Sequence, residues 1–213
     1  PPVLLDARPG ERVLDSCAAP GNKTAQIAVS MDNRGTVVAN DRDPHRNRAV
    51  KRVIDRLGLV NVSVTTYDGA NFSADIGPFD RIQVDVPCTC EGTSRKHPET
   101  LENVTVDFCE RMSGSQRALL RKAVQLCRSG GRIVYSTCTY APEENEMVVD
   151  AILEEVGRDR IRIPEAKIDG LVSSPGVTEW RGRQLDERLS RAMRIWPHQN
   201  DTGGFFVCIL EIE

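Results

Sequence analysis

The chain has 213 residues, of which 39% are hydrophobic and 28% are charged, and its formal net charge is −3. This length suits one domain, and the composition is that of an ordinary soluble protein. No apolar stretch approaches the roughly 20 residues that cross a bilayer, so we expect no membrane partner. The slightly acidic balance argues against a domain that binds nucleic acid through bulk positive charge alone.

In the N-terminal half, short apolar runs alternate with segments of helical periodicity. Strands are predicted at residues 12–15, 36–40, 62–66 and 81–85. Helices are predicted at 23–31, after a glycine turn, and at 44–57, where Asp43 and Pro44 favour the start and Gly58 the end. Such alternation implies right-handed crossovers and a parallel sheet with helices on both faces.

The C-terminal half continues this alternation and then loses it. The sequence predicts a helix at 118–127, a strand at 133–136 and a helix that opens at Pro142. From residue 157 to 202 the pattern weakens into charged sequence interrupted by proline and glycine. Residues 205–210 then predict a closing strand that enters the sheet antiparallel. We expect a single α/β domain over residues 1–213.

Positive charge is clustered in two segments, residues 42–56 and residues 181–194. Each cluster has two interpretations, a solvated helix face or a surface that contacts phosphates.

Cysteine usage indicates a reducing compartment. Seven cysteines at irregular spacing are typical of free thiols rather than of a disulfide framework. Residues 1–6 lack the basic start and apolar core of a secretory signal. We therefore expect a cytoplasmic protein, or a nuclear one if its source is eukaryotic.

Three successive strand ends carry groups suited to an adenosine ligand. The turn from Asp15 to Thr24 is rich in small residues, which let a ligand approach the backbone, but it lacks the glycine spacing of dinucleotide and phosphate loops. Asp41 follows the second strand, where a carboxylate can accept hydrogen bonds from a ribose diol. Asp68 and Gly69 follow the third strand, where they can meet an adenine.

Two further strand ends carry cysteines. Cys88 follows the strand at 81–85, and Cys138 follows the strand at 133–136. Because a parallel sheet binds its ligands at the carboxyl ends of its strands, these thiols are candidates for covalent chemistry. Cys90 forms Cys-X-Cys with Cys88, a spacing too short for the usual zinc pair, so no metal is predicted. Three other cysteines lie in predicted helix or strand interiors and are expected to be buried, inert thiols, namely Cys109, Cys127 and Cys208.

Four motifs occur in order along nearly the whole chain. They are Asp15-Ser16-Cys17-Ala18-Ala19-Pro20-Gly21-Asn22-Lys23-Thr24, Asp85-Val86-Pro87-Cys88-Thr89, Tyr135-Ser136-Thr137-Cys138-Thr139-Tyr140 with Pro142-Glu143-Glu144-Asn145-Glu146, and Asp201-Thr202-Gly203-Gly204-Phe205-Phe206. Together they resemble the NSUN/Sun family of RNA cytosine-5 methyltransferases. The resemblance implies a Rossmann-like class I methyltransferase fold, with a mostly parallel seven-stranded sheet, helices on both faces and an antiparallel C-terminal strand.

The resemblance also implies S-adenosyl-L-methionine as cofactor and a set of site residues. The implied cofactor positions are Cys17, Ala18, Ala19, Pro20, Gly21, Lys23, Asp41, Arg46, Asp68, Gly69 and Asp85. Cys138 is the implied nucleophile, which adds to C6 of cytosine so that C5 can attack the methyl group, and Cys88 assists release of the product. Asp85 can hydrogen-bond the N3 edge of the base. Lys23 or a helix start is expected to lower the pKa of Cys138.

Two alternatives remain open at this point. In a DNA cytosine-5 methyltransferase the Pro-Cys cysteine, here Cys88, would itself attack, and the triplet Glu102-Asn103-Val104 would bind the base. The other alternative is a scaffold that binds the cofactor without catalysis.

The expected partner is RNA. Residues 180–198 resemble the transfer-RNA branch of the family, which implies transfer RNA rather than ribosomal RNA as the substrate. The target cytosine must leave its stack to meet a thiol, which favours single-stranded or loop positions. Family members carry a substrate-binding segment before the equivalent of Pro1. We therefore expect residues 1–213 to form a catalytic core. This core is expected to be monomeric and to bind RNA weakly.

Overall fold

The computed structural model describes residues 1–102 and 104–213. Asn103, the middle residue of the triplet considered above for base binding, lies outside the described residues.

Strands and helices alternate through most of the described chain. The strands are β1 (Arg12–Asp15), β2 (Thr36–Asn40), β3 (Val62–Thr65), β4 (Phe79–Asp85), β5 (Cys127–Thr137), β6 (Ile161–Arg162), β7 (Ser174–Pro175), β8 (Glu179–Trp180), β9 (Arg183–Gln184), β10 (Met193–Ile195) and β11 (Phe205–Ile212). The α-helices are α1 (Pro2–Leu5), α2 (Asn22–Ser30), α3 (Pro44–Leu57), α4 (Val106–Leu126), α5 (Glu146–Val156) and α6 (Pro197–Asn200). Short 3₁₀ turns lie between them.

The main sheet has the strand order β3-β2-β1-β4-β5-β11-β10-β7, and β6 pairs with the free part of β11. Strands β3, β2, β1, β4 and β5 are mutually parallel, whereas β11 is antiparallel to β5. The predicted α/β class, with its mostly parallel sheet and antiparallel closing strand, is confirmed. Within the described residues this sheet has nine strands rather than seven, because the two-residue strands β6 and β7 add to its edge.

Local signals place some helix ends correctly and misplace others. Helix α3 matches its prediction because the Asp43 side chain accepts a hydrogen bond from the His45 N–H and Gly58 adopts a left-handed φ of 61°. Helix α4 begins at Val106, twelve residues before the predicted start (118 − 106). Its first half buries Ser113 and Gln116, and these polar residues mask the apolar periodicity.

Helices cover both faces of the sheet. On one face, α4 and α5 pack against β4, β5 and β11 and bury a large apolar cluster that includes Ile82, Tyr135 and Ile152. On the other face, α1 and α2 enclose a second cluster that includes Leu5 and Ile27. No helix in residues 1–102 or 104–213 combines the length and apolar composition required to cross a membrane.

Candidate active site

The carboxyl ends of β4 and β5 bring the two predicted cysteines together. These strands are neighbours, with Asp85 in register with Ser136, so the loops that follow them lie side by side. The Sγ atoms of Cys88 and Cys138 are 3.3 Å apart, and both residues are partly exposed. The structure therefore places two accessible thiols at one point of the sheet edge, as the sequence predicted.

A buried hydrogen-bond network holds the two loops together. The hydroxyl oxygens of Thr89 and Thr139 are 2.8 Å apart. Thr89 also donates its N–H and its hydroxyl to the carboxylate of Glu144, at 3.2 and 2.5 Å. Gln116 donates to the same carboxylate at 2.7 Å and so ties α4 to both loops. Burial raises the pKa of Glu144. Sequence reasoning missed this network because its members come from three separate segments.

The backbone of Gly92 passes between the Cys138 loop and the Gly203-Gly204 motif. The Gly92 N–H donates to the Cys138 carbonyl at 2.8 Å, and the Gly204 N–H donates to the Gly92 carbonyl at 2.8 Å. A Cβ atom at Gly92 would lie 2.3 Å from the Gly204 carbonyl oxygen, closer than any side chain tolerates. Glycine at this position allows the three segments to close around Cys138.

Asp85 and Lys23 form an ion pair beside the thiols. Lys23, in the first turn of α2, lies 2.7 Å from one carboxylate oxygen of Asp85. The Ser136 hydroxyl donates to the other oxygen, also at 2.7 Å. Both oxygens of Asp85 are thus held in position from two directions, which fixes the orientation of the carboxylate.

Thiol proximity governs the protonation of Cys138. A hydrogen bond from Cys88 lowers the pKa of Cys138, but donation to Cys90 and burial raise it, and the net result is a pKa of about 12. The expectation that Lys23 depresses this pKa is not met in the free protein, because the charge of Lys23 is already balanced by Asp85. Cys138 therefore holds its proton in preference to Cys90, whose pKa is lowered to about 3 by hydrogen bonds from Cys138 and Cys88.

A cavity of about 510 Å³ lies where the sequence predicts the adenosine site. The predicted residues that line it are Cys17, Asp41, Arg46, Asp68 and Gly69. Burial raises the pKa of Cys17 to about 12, so this residue also contributes a neutral thiol.

The Asp41 carboxylate, predicted to bind a ribose, already has three partners within the protein. It accepts hydrogen bonds from the Ala19 N–H at 3.3 Å and from the Asp43 N–H at 3.0 Å, and it pairs with Arg46 at 3.3 Å. Asp68 is exposed and caps the turn that follows it by accepting from the Ala70 N–H at 3.1 Å. Each acid therefore organises its own strand end while it lines the cavity.

The turn after β1 forms one wall next to this cavity. Its Ala18 N–H donates to the Asn40 carbonyl at 2.7 Å, and its Ala19–Pro20 peptide bond is cis. Gly21 has a φ of 107°, and a Cβ atom there would lie 3.0 Å from the Val50 Cα. Glycine at position 21 thus lets α2 start against α3. Ala18, Ala19, Pro20 and Gly21 shape this turn but do not line the cavity itself.

Sequence reasoning missed the helical wall of the cavity. Met112, Ser115 and Leu119 of α4 line it opposite the strand ends. The cap residue Thr105 could have indicated the earlier helix start, because its hydroxyl accepts a hydrogen bond from the Phe108 N–H at 3.2 Å. Asn40 was also missed, although it donates to the Ser16 and Tyr67 carbonyls and so joins two strand ends.

A second cavity, of about 640 Å³, opens at Cys138. Its other lining residues include Gly92, Arg95, Lys96 and Phe205. Arg95 and Lys96 are exposed, and Arg95 pairs at 2.7 Å with Asp201, which lines the same cavity. The positive side chain of Lys96 makes this approach to the thiol attractive to an anionic chain.

The two basic segments differ in structure. In residues 181–194, Arg183, Arg188 and Arg194 pair with Asp150, Asp186 and Glu146, at 3.0, 2.7 and 2.5 Å. Three arginines of this segment are therefore bound by carboxylates of the same chain. The arginines and lysines of α3 lie on its exposed face, with Arg46 paired to Asp41.

Three cysteines occupy interior positions, as predicted. Cys109, Cys127 and Cys208 are buried, and burial raises the pKa of each thiol. Cys127 lies at the start of β5 rather than at the end of the preceding helix.

Asp15 lies buried beneath the strand ends, and Thr24 donates to its Oδ2 at 2.6 Å. Burial raises its pKa from 3.8 to about 7, against the lowering effect of the Thr24 hydrogen bond. Between about pH 4 and pH 7 the folded chain therefore holds a proton that the unfolded chain releases, so the free energy of unfolding falls as the pH rises. Above about pH 7 this loss is complete and constant.

We expect Asp15→Asn to remove this pH dependence, because the amide does not titrate. The measurement is urea unfolding at several pH values between 4 and 8, for the parent and the variant. Profiles that stay parallel over this range would show that Asp15 does not titrate with a raised pKa.

Comparison of the sequence with known protein families identifies the family of this chain. The sequence profile described as 16S rRNA methyltransferase RsmB/F matches residues 2–211. The chain belongs to the RsmB/F family. The resemblance to the NSUN/Sun RNA cytosine-5 methyltransferases is thereby confirmed.

Relatives in this family act on different RNAs. The chain is 36% identical to the tRNA (cytosine(49)-C(5))-methyltransferase of Pyrococcus abyssi, over 97% of this chain and 65% of that protein. It is 42% identical to ribosomal RNA small subunit methyltransferase F of Escherichia coli O157:H7, over 98% of this chain and 41% of that protein. The chain thus spans two thirds or less of the length of these relatives.

Among solved structures, NSun6 from Pyrococcus horikoshii with SFG superimposes with a TM-score of 0.82 at 31% identity. The alignment covers 99% of this chain and 50% of that one. The predicted Rossmann-like methyltransferase fold is confirmed for this member of the RsmB/F family.

Proposed function

We propose that this chain carries the catalytic centre of an RNA cytosine-C5 methyltransferase that uses S-adenosyl-L-methionine. The observation that carries the proposal is the pair of accessible thiols, 3.3 Å apart, beside an oriented Asp85 and between two cavities. Cytosine C5 methylation needs a nucleophile for C6, a group for the N3 edge and a nearby methyl donor. The three requirements correspond to Cys138, Asp85 and the cavity at Asp41.

The residues around the first cavity fit the cofactor. Its volume of about 510 Å³ lies within the usual range of small-molecule sites, roughly 300–1,000 Å³. Asp41 would accept from the ribose diol, and Asp68 with Gly69 would border the adenine. SFG, present with the P. horikoshii relative, is an analogue of S-adenosyl-L-methionine and supports this choice. When bound, the cofactor supplies an electrophilic methyl group.

Cys138 is the proposed nucleophile. The thiol first releases its proton to solvent, and its sulfur then forms a bond to C6 of the cytosine, which makes C5 electron-rich enough to attack the methyl group. A base from solvent then removes the C5 proton, the C5–H electron pair restores the C5=C6 double bond, and the C6–S bond breaks with its electron pair returning to sulfur. Cys138 lines the cavity that opens to solvent, so a base that has left its stack can reach it.

Asp85 is the proposed partner of the base edge. Lys23 and Ser136 hold its two oxygens at 2.7 Å each, so the carboxylate needs little reorganisation when the cytosine enters. N3 takes up a proton when sulfur adds to C6, and the N3–H then donates a hydrogen bond to the Asp85 carboxylate, which stabilises the adduct. Lys23 thereby acts through Asp85 rather than on the thiol.

Cys88 is the proposed release group. With its sulfur 3.3 Å from that of Cys138, it lies within reach of the atoms that change when the C6–S bond breaks. Its thiol donates to Cys138 and Cys90, which raises the pKa of Cys88 and keeps it protonated. Both thiols favour the protonated form, so protonation does not distinguish them. Cys138 lines the cavity that opens to solvent, whereas Cys88 is not among its lining residues, and this favours Cys138 as the attacking residue.

We propose transfer RNA as the first substrate to test, since the chain spans the larger share of the P. abyssi tRNA enzyme. The experiment incubates the chain with labelled S-adenosyl-L-methionine and either a tRNA or a small-subunit rRNA fragment, and then maps 5-methylcytosine by bisulfite sequencing. Methylation of one cytosine in tRNA is the expected result. Methylation of rRNA alone would reassign the substrate. Cofactor binding without transfer to RNA or DNA would instead support the non-catalytic scaffold.

A further inference from the structure

Cys90 has no part in the proposed reaction, yet its sulfur lies against the two that do. The Sγ atoms of Cys90 and Cys88 are 3.9 Å apart, and those of Cys88 and Cys138 are 3.3 Å apart. All three sulfurs lie within 4.8 Å of one another, and all three residues are partly exposed. Cys90 therefore completes a triangle of thiols, which we call the thiol triangle, at the ends of β4 and β5.

The dimensions of the thiol triangle match those of a metal site. A tetrahedral Zn²⁺ with Zn–S bonds of about 2.3 Å holds its sulfur ligands about 3.8 Å apart. Two of the sulfur separations, 3.3 and 3.9 Å, lie on either side of this value, and the third is within 4.8 Å. We propose that Cys88, Cys90 and Cys138 bind a soft divalent cation of the Zn²⁺ and Cd²⁺ class.

The surroundings support this assignment. The cavity at Cys138 provides an entry path and room for water as a fourth ligand. Three thiolates and one divalent cation carry a net charge of −1, and the positive Lys96 side chain lines the same cavity, as does Arg95, which pairs with Asp201 at 2.7 Å. The loops that carry the sulfurs are held by the Gly92 N–H, which donates to the Cys138 carbonyl at 2.8 Å.

Binding balances without any redox step. Each sulfur binds as a thiolate, so the protons that Cys88 and Cys138 hold pass to solvent, three metal–sulfur bonds form, and no electrons are transferred. A metal on the Cys138 sulfur occupies the lone pair that would attack cytosine, so the cation is an inhibitor of methyl transfer. This inhibition rests on the proposed function, whereas the binding itself does not.

Titration of the reduced 213-residue chain with Cd²⁺ tests the site directly, through the ultraviolet charge-transfer absorption of cadmium–thiolate bonds. We expect one Cd²⁺ per chain and protection of Cys88, Cys90 and Cys138 from alkylation, located by mass spectrometry. Cys90→Ser removes one ligand and is expected to weaken binding by at least about tenfold. The matched control is Cys109→Ser, which removes a buried thiol outside the triangle and leaves the affinity unchanged.

Equal Cd²⁺ affinity in the parent and in Cys90→Ser, or alkylation of the three cysteines that Cd²⁺ does not slow, would overturn the proposal. Thermal unfolding of both variants without metal checks that each retains its fold. Because the readouts are absorption and alkylation, a chain that binds Cd²⁺ but transfers no methyl group would contradict only the proposed function.

Discussion

Cys138→Ala is expected to reduce methyl transfer to RNA by at least about a thousandfold, because it removes the group that activates C5. The same variant should form no covalent complex with RNA that contains 5-fluorocytosine. In such RNA, fluorine replaces the C5 proton whose loss allows the C6–S bond to break, so the parent enzyme remains attached. Denaturing gel electrophoresis detects the attached RNA as a slower band.

Cys88→Ala is expected to behave in the opposite way. If Cys88 assists only the release step, its loss leaves the C6–S bond able to form, and a covalent complex accumulates even with ordinary RNA. Cys90→Ala is the matched control within the same loop, and we expect it to turn over without such accumulation. A covalent complex that persists in Cys138→Ala and disappears in Cys88→Ala would identify Cys88 as the nucleophile, as in the DNA-type mechanism.

Arg194→Met is expected to lower the free energy of unfolding by about 3–5 kcal/mol. Arg194 is 6% exposed, and Glu146, whose carboxylate it holds by two hydrogen bonds of 2.7 and 2.5 Å, is fully buried. Removal of the guanidinium leaves a buried carboxylate without its counter-charge, which costs far more than the loss of an exposed pair. Urea unfolding monitored by fluorescence measures the change.

Two further variants test this explanation. Arg34→Met breaks a pair with Asp32 whose side chains are 68% and 71% exposed, and we expect it to cost less than about 1 kcal/mol. Glu146→Gln in the Arg194→Met background removes the stranded charge and should recover part of the lost stability. An Arg194→Met variant no less stable than Arg34→Met would show that the buried pair contributes little.

Arg194 also links stability to the active site. Its guanidinium donates to the Tyr140 carbonyl at 2.9 Å, two residues beyond Cys138. The strand β10, which carries Arg194, thus supports the loop of the proposed nucleophile. We infer that the charged C-terminal third positions this loop, a role that its weak periodicity did not indicate.

Local sequence patterns were sufficient to predict most of the strands and helices in the N-terminal part of the chain. Apolar runs followed by Asp41, Asp68 or Asp85 predicted strand ends correctly, because strand formation and turn chemistry depend on neighbouring residues. The same reasoning failed at α4, whose first half buries polar groups that serve the loop network. It also made no assignment within residues 157–202. There β6 and β10 pair with β11, β7 pairs with β10, β8 pairs with β9, and arginines form ion pairs with α5, all contacts that local periodicity does not show.

The sequence by itself determined the order of the main strands and helices between residues 12 and 156, the family to which the chain belongs, and the presence of two cysteines at strand ends. Only the tertiary structure decided how these thiols meet. Cys88 and Cys138 are 50 residues apart in the chain, and contact between them depends on the pairing of β4 with β5. The same pairing brings Cys90 into the triangle and sets the raised pKa of Cys138, since burial and neighbouring thiols act through space rather than along the sequence.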